Sequence, residues 1–501
     1  MRMRRATSDT AFKMVCSRPA DGSWSKVGGK SRRSRGSVRL YSTEDESVDL
    51  PPRLPARRRR RLFFMGQLWK IKNFSSIFIV KRCRRDIFIP NNVYSEMRKK
   101  DIIMRSFEEC RQMALDILRP SEKELQHGLE LHKNSFVFDA YGFMPLGNGE
   151  NTRKDELLAA GAGRDELIWC DEEFRMSRSF DDPEMVARLK EAWEFAGVDC
   201  VFQNSGTESN DIEVLLRRLS CYTHTVDKLS DFYERAVFPE QLTDIWKRGK
   251  KSLYMTTNGV PISSKFISTD EALIYIDVFF KLGVRMMHLT YNRRNLIGDG
   301  CSEEANGGLS SFGRSVIAEM NRVGVIPDCA HSGLQTSYDA AKCSKKPMVC
   351  SHAVAGGLSA HYRSKSDEVI QAIKETGGYV GICAHPPFLQ HEMNIKTFID
   401  HVDYVARKFG VDHVAIGTDH GCPLAEEVPG KNPPRKNRPI WETYWKDSSA
   451  GLAGLWDHYD TMAWTNWPLF TVGLVQRGYT DEEIRKIIGG NVLRVCQETL
   501  A

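Results

Sequence analysis

Val325-Ile326-Pro327-Asp328-Cys329-Ala330-His331 and, shortly after, Met348-Val349-Cys350-Ser351-His352 are two brief apolar runs, each closing on a histidine. Both are rich in Val, Ile and Met and do not alternate with polar residues, which is the pattern of a strand buried on both faces. The same pattern repeats on either side. Strands are expected at Phe136–Asp139, Asp199–Phe202, Ser252–Thr256, Val284–Thr290, Val325–Cys329, Met348–Ser351, Gly378–Cys383 and His413–Gly417. Helical periodicity fills most gaps, clearest over Asp270–Leu282, Ser311–Val323, Lys365–Glu375 and Ile395–Phe409. The gap Asp211–Arg248 is long and helical. Cys422–Asp457, rich in Pro, Trp and Lys, is expected as a long loop over the barrel mouth. Capping boxes Ser121-x-x-Glu124 and Thr480-x-x-Glu483 open the first and last helices of this region, and the last is expected to stop at Gly489-Gly490. Eight strands alternating with helices predict an α/β fold, a parallel (β/α)8 TIM barrel.

The chain has 501 residues and a net charge of +6, with 41% hydrophobic and 27% charged residues, an ordinary globular composition. The charge is unevenly placed. Residues 1–105 hold 27 Lys+Arg against 9 Asp+Glu, or +18, while the rest holds 44 against 56, or −12. Two regions are therefore expected: a basic, largely disordered extension over 1–105, and a barrel over 106–501. The run Arg57–Arg61 fits nucleic acid or nuclear targeting, a solvated tail, or translation assigned from too early a start, with Met97 and Met104 as alternative starts. A secretory signal is not expected, since no apolar segment follows the early arginines, and Glu44-Asp45-Glu46 weighs against a transit peptide. The acidic balance of the remainder argues against nucleic acid on the barrel. No apolar run reaches the roughly 18 residues of a membrane span. The 13 cysteines include no C-x-x-C pair, and Cys329, Cys350 and Cys383 sit in apolar runs. Free thiols in a reducing, cytoplasmic setting are expected.

In such barrels the chemistry sits where strands end. The first four strands are followed by Tyr141 and Phe143, Gln203 and Asn204, Thr257 and Asn258, then Tyr291 and Asn292. The last four are followed by His331, His352, His385, and Asp419 with His420. Neutral imidazoles with a carboxylate suit Zn²⁺, whose bound water attacks carbonyls near neutral pH. Each residue also has a plainer reading. A histidine at a strand end is commonly a satisfied polar residue, His385 before Pro386-Pro387 fits a turn, and Asp419 fits a cap. No G-x-S-x-G stands where a strand–turn–helix would need it, so a serine nucleophile is not expected.

Several segments together resemble the membrane (renal) dipeptidase family. They are Leu289-Thr290-Tyr291-Asn292, Gly308 to Gly313, Glu319 to Gly324, Asp328-Cys329-Ala330-His331, Val349-Cys350-Ser351-His352, His361-Tyr362-Arg363-Ser364, Gly410 to Asp419 and Gly489 to Val495. The likeness spans Phe136 to Val495. It implies a binuclear zinc site that hydrolyses dipeptides, tolerant of a D-residue at the C-terminal side. In that template His331 and His352 hold the second zinc, Arg363 grips the substrate carboxylate, and Asp419 takes a proton from the attacking water.

The chain departs from the family pattern at the first metal site. The H-x-D pair is Tyr141 and Phe143, the bridging glutamate is Thr257, and the substrate-binding histidine is Tyr291, which can still donate to a carbonyl or oxyanion. Three of five ligands are absent, so a single Zn²⁺ is expected, on His331 and His352 with His385 or Asp419 as third ligand. One reading is a metal-dependent hydrolase of a dipeptide or small amide. The other is a non-catalytic homologue that binds a small ligand or a protein. Chelator sensitivity, and loss of activity in His331→Ala or His352→Ala, separates them. A homodimer is compatible with either.

Overall fold

The barrel is built from short apolar strands and from helices whose starts are written locally. Ser106 and Ser121 each accept the backbone N–H three residues on, while Glu109 and Glu124 reach back to the cap. These reciprocal caps start helices Phe107–Leu118 and Glu122–Lys133. Thr480 and Glu483 do the same for Asp481–Arg485. The computed structural model describes residues 104–206, 211–263, 265–425 and 455–500. The expected basic extension, apart from Met104 and Arg105, and most of the expected loop Cys422–Asp457 lie outside the described residues. Arg105 makes ion pairs with Asp457 (2.7 Å) and Asp460.

The strands are β1 (Phe138–Gly142), β2 (Cys200–Asn204), β3 (Ser252–Thr257), β4 (Val284–His288), β5 (Ile326–Asp328), β6 (Cys350–Ala355), β7 (Ser364–Lys365), β8 (Val380–Ile382) and β9 (Val414–Ile416). All pairings are parallel, in the orders β1-β2-β3-β4-β5 and β7-β6-β8-β9. A parallel bridge between Asp328 and Val349 joins the two runs on one side. On the other, Asp419 N–H donates to Tyr141 O (3.0 Å) and Phe143 N–H to His420 O (3.2 Å), so the sheet curls round on itself. This is the expected TIM-barrel-like fold.

The eight expected strands are all present, shifted at their ends, and β7 is an addition. Residues 364–365 pair with β6 instead of opening a helix, and Ser366 caps the helix Asp367–Glu375 that follows. The gap expected as one long helical stretch is two helices, Ile212–Lys228 and Pro239–Lys247, because Pro239 can begin a helix but not continue one. The last capped helix breaks at Gly489, as expected, where the backbone turns non-helical, and a further helix, Asn491–Leu500, follows. A Cβ on Gly489 would lie 2.5 Å from Phe136 O and 2.9 Å from Phe138 N, so glycine lets the kink press against the start of β1. No helix among the described residues is long and apolar enough to cross a membrane.

Candidate active site

Inside the barrel, Phe138, Phe202, Tyr254, Met286, Ile326, Val349, Tyr379 and Ala415 pack into one cluster, with Phe138 stacked on Phe202 at 5.2 Å. Strand side chains repeat every two residues, so the layer nearer the C-terminal mouth is read by stepping two residues on. It contains His288, Asp328 and Ser351, all fully buried. At the matching steps from Tyr379 and Ala415 stand Gly381 and Gly417. A Cβ on either would come within 1.9 or 2.0 Å of Ser351 O, so these strands crowd the Ser351 backbone.

His331, just past β5, and His352, in β6, meet in this region with their Nε2 atoms 3.1 Å apart. His331 Nδ1 lies 2.9 Å from the Asn292 amide oxygen, which only accepts, so Nδ1 carries the proton and Nε2 the lone pair. His352 Nδ1 is 2.8 Å from the Ser351 hydroxyl. Burial, reinforced by the Arg363 charge, pushes both imidazoles well below the ordinary 6.5. Both are therefore neutral, the form that binds metal. Tyr291, half-buried, stacks on His331 at 3.9 Å between ring centres.

The residues at the expected first metal site are committed elsewhere. The Tyr141 ring lies on His352 at 3.9 Å, and its hydroxyl donates to Asn258 Oδ1 (2.5 Å). Burial raises that phenol well above 10, so it stays protonated. Phe143 offers no donor atom and packs edge-on against Tyr141. The Thr257 hydroxyl donates to Gly259 O (2.7 Å). A binuclear centre on these positions does not fit.

A mononuclear one does. Among the described residues one group of metal-ligating side chains, His288, Asp328 and His352, has its ligand atoms all within 4.8 Å of one another. Asp328 Oδ2 is buried and has no hydrogen bond. Burial alone would raise the Asp328 carboxyl, but nearby His288 and bonds from Ser351 bring it below the ordinary value. Its Oδ2 lies 2.7 Å from His288 Nε2.

Asp419 sits at the rim, half-buried, with φ of +57°. Asp tolerates this left-handed conformation better than most residues. It is imposed by its neighbour: the Asp139 carboxylate accepts both Thr418 N–H (3.0 Å) and the Thr418 hydroxyl (2.6 Å). Arg363 is fully buried, and its guanidinium donates to Ala330 O (3.1 Å) and His352 O (3.0 Å). It braces the segments that carry both histidines. His385 lies apart from the metal-spaced group, with Tyr459 Oη 2.8 Å from its Nδ1 and Phe388 against its ring. Burial, with His420 next, lowers its pKa to about 3.

A family model for "Membrane dipeptidase (Peptidase family M19)" matches residues 127–428, covering every strand and every residue of the site. This chain belongs to the membrane dipeptidase family. It is 28% identical over 293 residues to Dipeptidase tcpJ of Claviceps purpurea (strain 20.1), a match covering 57% of this chain and 58% of that protein. It is 29% identical over 219 residues to Dipeptidase verJ of Clonostachys rogersoniana, covering 43% and 48%. The chain thus spans about half the length of the curated relatives it matches. Among solved structures, an amidohydrolase from Pseudomonas aeruginosa superposes with a TM-score of 0.53 at 24% identity, covering 74% of this chain and 98% of that one. A metallo peptidase from Rhodobacter sphaeroides, liganded with a phosphinate mimic of the dipeptide L-Ala-D-Ala, gives 0.52 at 17% identity, covering 73% and 100%. At these identities the superpositions establish the membrane dipeptidase fold.

Reading residues only where strands end passes over His288, Asp328 and Asp139, which lie within strands. The available signal was the period of two. His288 and Asp328 stand two residues beyond the inward-facing Met286 and Ile326, so they point into the barrel as well.

Proposed function

We propose that this barrel is a metal-dependent hydrolase of a dipeptide or related small amide, working with one ion per chain, Zn²⁺ by its ligand chemistry. The observation that carries the reading is the facing pair of neutral histidines, His331 and His352, at the mouth of a membrane dipeptidase barrel. Nitrogen ligands about 2.0–2.1 Å from one ion lie roughly 3.0–3.4 Å from each other, and the observed 3.1 Å falls in that range. A third ligand comes from His288 or Asp328; the Tyr459 contact makes His385 the poorer choice. Bound there, the ion would lower the pKa of a water toward neutrality and polarise the scissile carbonyl.

The chain's own residues do the rest. Asp419 is the general base, aimed by the Asp139–Thr418 clamp, and passes its proton to the leaving amine. Tyr291 stacks on His331 and donates to the substrate carbonyl or to the oxyanion that develops. Arg363 is a positioning residue, since its NH1 and NH2 groups already hold backbone carbonyls. Its charge favours the carboxylate of a dipeptide. Every described cysteine is a free thiol, which supports a reducing, cytoplasmic setting.

A second reading, a barrel that binds without catalysis, is favoured by Tyr141, whose ring covers His352 where the family places a ligand. Metal content of the desalted full chain, with hydrolysis of a dipeptide panel including D-residues at the second position, decides between the two. The hydrolase reading expects about one ion per chain, chelator-sensitive turnover, and its loss in His331→Ala. A folded, metal-free chain that cleaves no dipeptide refutes it.

A further inference from the structure

We propose that His288 and Asp328 together complete, from inside the barrel, the seat of the ion held by His352 and His331. This rests on the preceding reading only in that the protein uses a metal at this histidine pair. His288 and Asp328 project into the interior from neighbouring strands β4 and β5, paired in register at this step. His288 Nε2 comes 2.7 Å from Asp328 Oδ2, with both side chains fully buried. Beyond this contact Asp328 Oδ2 and His288 Nδ1 have no hydrogen bond, while His288 Nε2 also faces the Ser351 hydroxyl at 3.5 Å. A buried imidazole and carboxylate left this way are costly in an ordinary core. A cation between them satisfies the carboxylate and one imidazole nitrogen together.

The surroundings are built as a ligand shell is. Asp328 Oδ1 accepts Ala330 N–H (2.9 Å) and Ser351 N–H (3.0 Å), which fixes the carboxylate and leaves Oδ2 facing inward. The ring centres of His288, His331 and His352 form a near-equilateral triangle of 5.5, 5.3 and 5.1 Å. Imidazoles around one tetrahedral ion at a metal–nitrogen distance of about 2.1 Å would have ring centres roughly 5 Å apart. Tyr141 closes the group from above, lying 5.2 Å from the His288 ring and 3.9 Å from His352. Imidazoles and a carboxylate suit a first-row divalent metal such as zinc. His331, with Nε2 3.1 Å from His352 Nε2, is then the ligand on the mouth side.

The test uses the full chain stripped with chelator, dialysed against Zn²⁺ alone, and measured by elemental analysis. Wild type is compared with His288→Gln, Asp328→Asn and His331→Gln, and circular dichroism reports the fold. Asp328→Asn keeps an oxygen for Ala330 and Ser351, so it removes charge with little loss of structure. The interior ligands predict about one ion in wild type, and at least about ten-fold weaker retention in His288→Gln and Asp328→Asn. Retention in His288→Gln, or a wild type that takes up no zinc, overturns it. Should the buried variants fail to fold, anomalous diffraction at the zinc edge from wild-type crystals decides. A peak within bonding distance of His288 and Asp328 supports the seat, and a peak elsewhere or none refutes it. Zinc on His288 in a chain that cleaves no dipeptide would end the hydrolase reading and leave this site standing. Loss of zinc in His331→Gln alone would do the reverse.

Discussion

Replacing Asp139 with asparagine should change how stability depends on pH, because this buried carboxyl underlies the clamp that aims Asp419. Burial raises its pKa to about 7 against an ordinary 3.8, although Thr418, Tyr141 N–H and the Trp464 indole N–H all donate to it. The native state therefore holds the proton more tightly than the unfolded chain. Stability gained in this way is complete below about 3.8 and is lost as the pH rises through about 7. Over the full interval the change is about 4 kcal/mol, of which roughly 3 kcal/mol falls between about pH 4.5 and about pH 8. Asparagine keeps one acceptor oxygen and does not titrate. Asp139→Asn therefore carries a fixed offset, from setting an NH2 group against Thr418 or Trp464, and lacks the pH-dependent loss. Denaturant unfolding of both proteins across that range measures the difference directly. Asp139→Asn should gain on wild type by roughly 3 kcal/mol as the pH rises. The histidine contributions are common to both proteins and cancel. A difference that stays flat with pH would mean that the donors keep Asp139 ionised in the fold, and the argument from burial would fail.

Three other outcomes follow from the same structure. His132, buried against Thr471 and Ala196 O, has its pKa lowered to about 4 by burial, so its contribution is present above about 6.5 and lost as the pH falls toward 4. His132→Gln should flatten the acid limb of the stability profile by about 3 kcal/mol, and an unchanged limb would count against it. Gly381→Ala places a Cβ 1.9 Å from Ser351 O, a backbone atom with no room to yield; thermal unfolding should show a loss of about 3 kcal/mol or more, or no folded protein. Tyr141→Phe leaves Asn258 Oδ1 without its donor and should cost about 1–3 kcal/mol by denaturant unfolding while leaving zinc content unchanged. Loss of zinc in that variant would give the phenol a role in holding the ion.

Much of this architecture was legible before any coordinates. The apolar runs mark all eight barrel strands, since strands covered on both faces must be continuously apolar, and the capping boxes at Ser121 and Thr480 mark helix starts through contacts three residues apart. Lys365 was read as the start of a helix for the opposite reason: its strand pairing is set by a distant partner, β6. The site divides in the same way. Linear order alone brings His331, His352 and Asp419 to the mouth, because residues that follow parallel barrel strands gather at one end. Three features depended on the tertiary structure: His288 facing Asp328, Tyr141 lying over His352, and Arg363 bonded to the chain it was expected to reach past. These contacts depend on strand register, layer and side-chain direction, which closure of the barrel sets and no local pattern encodes.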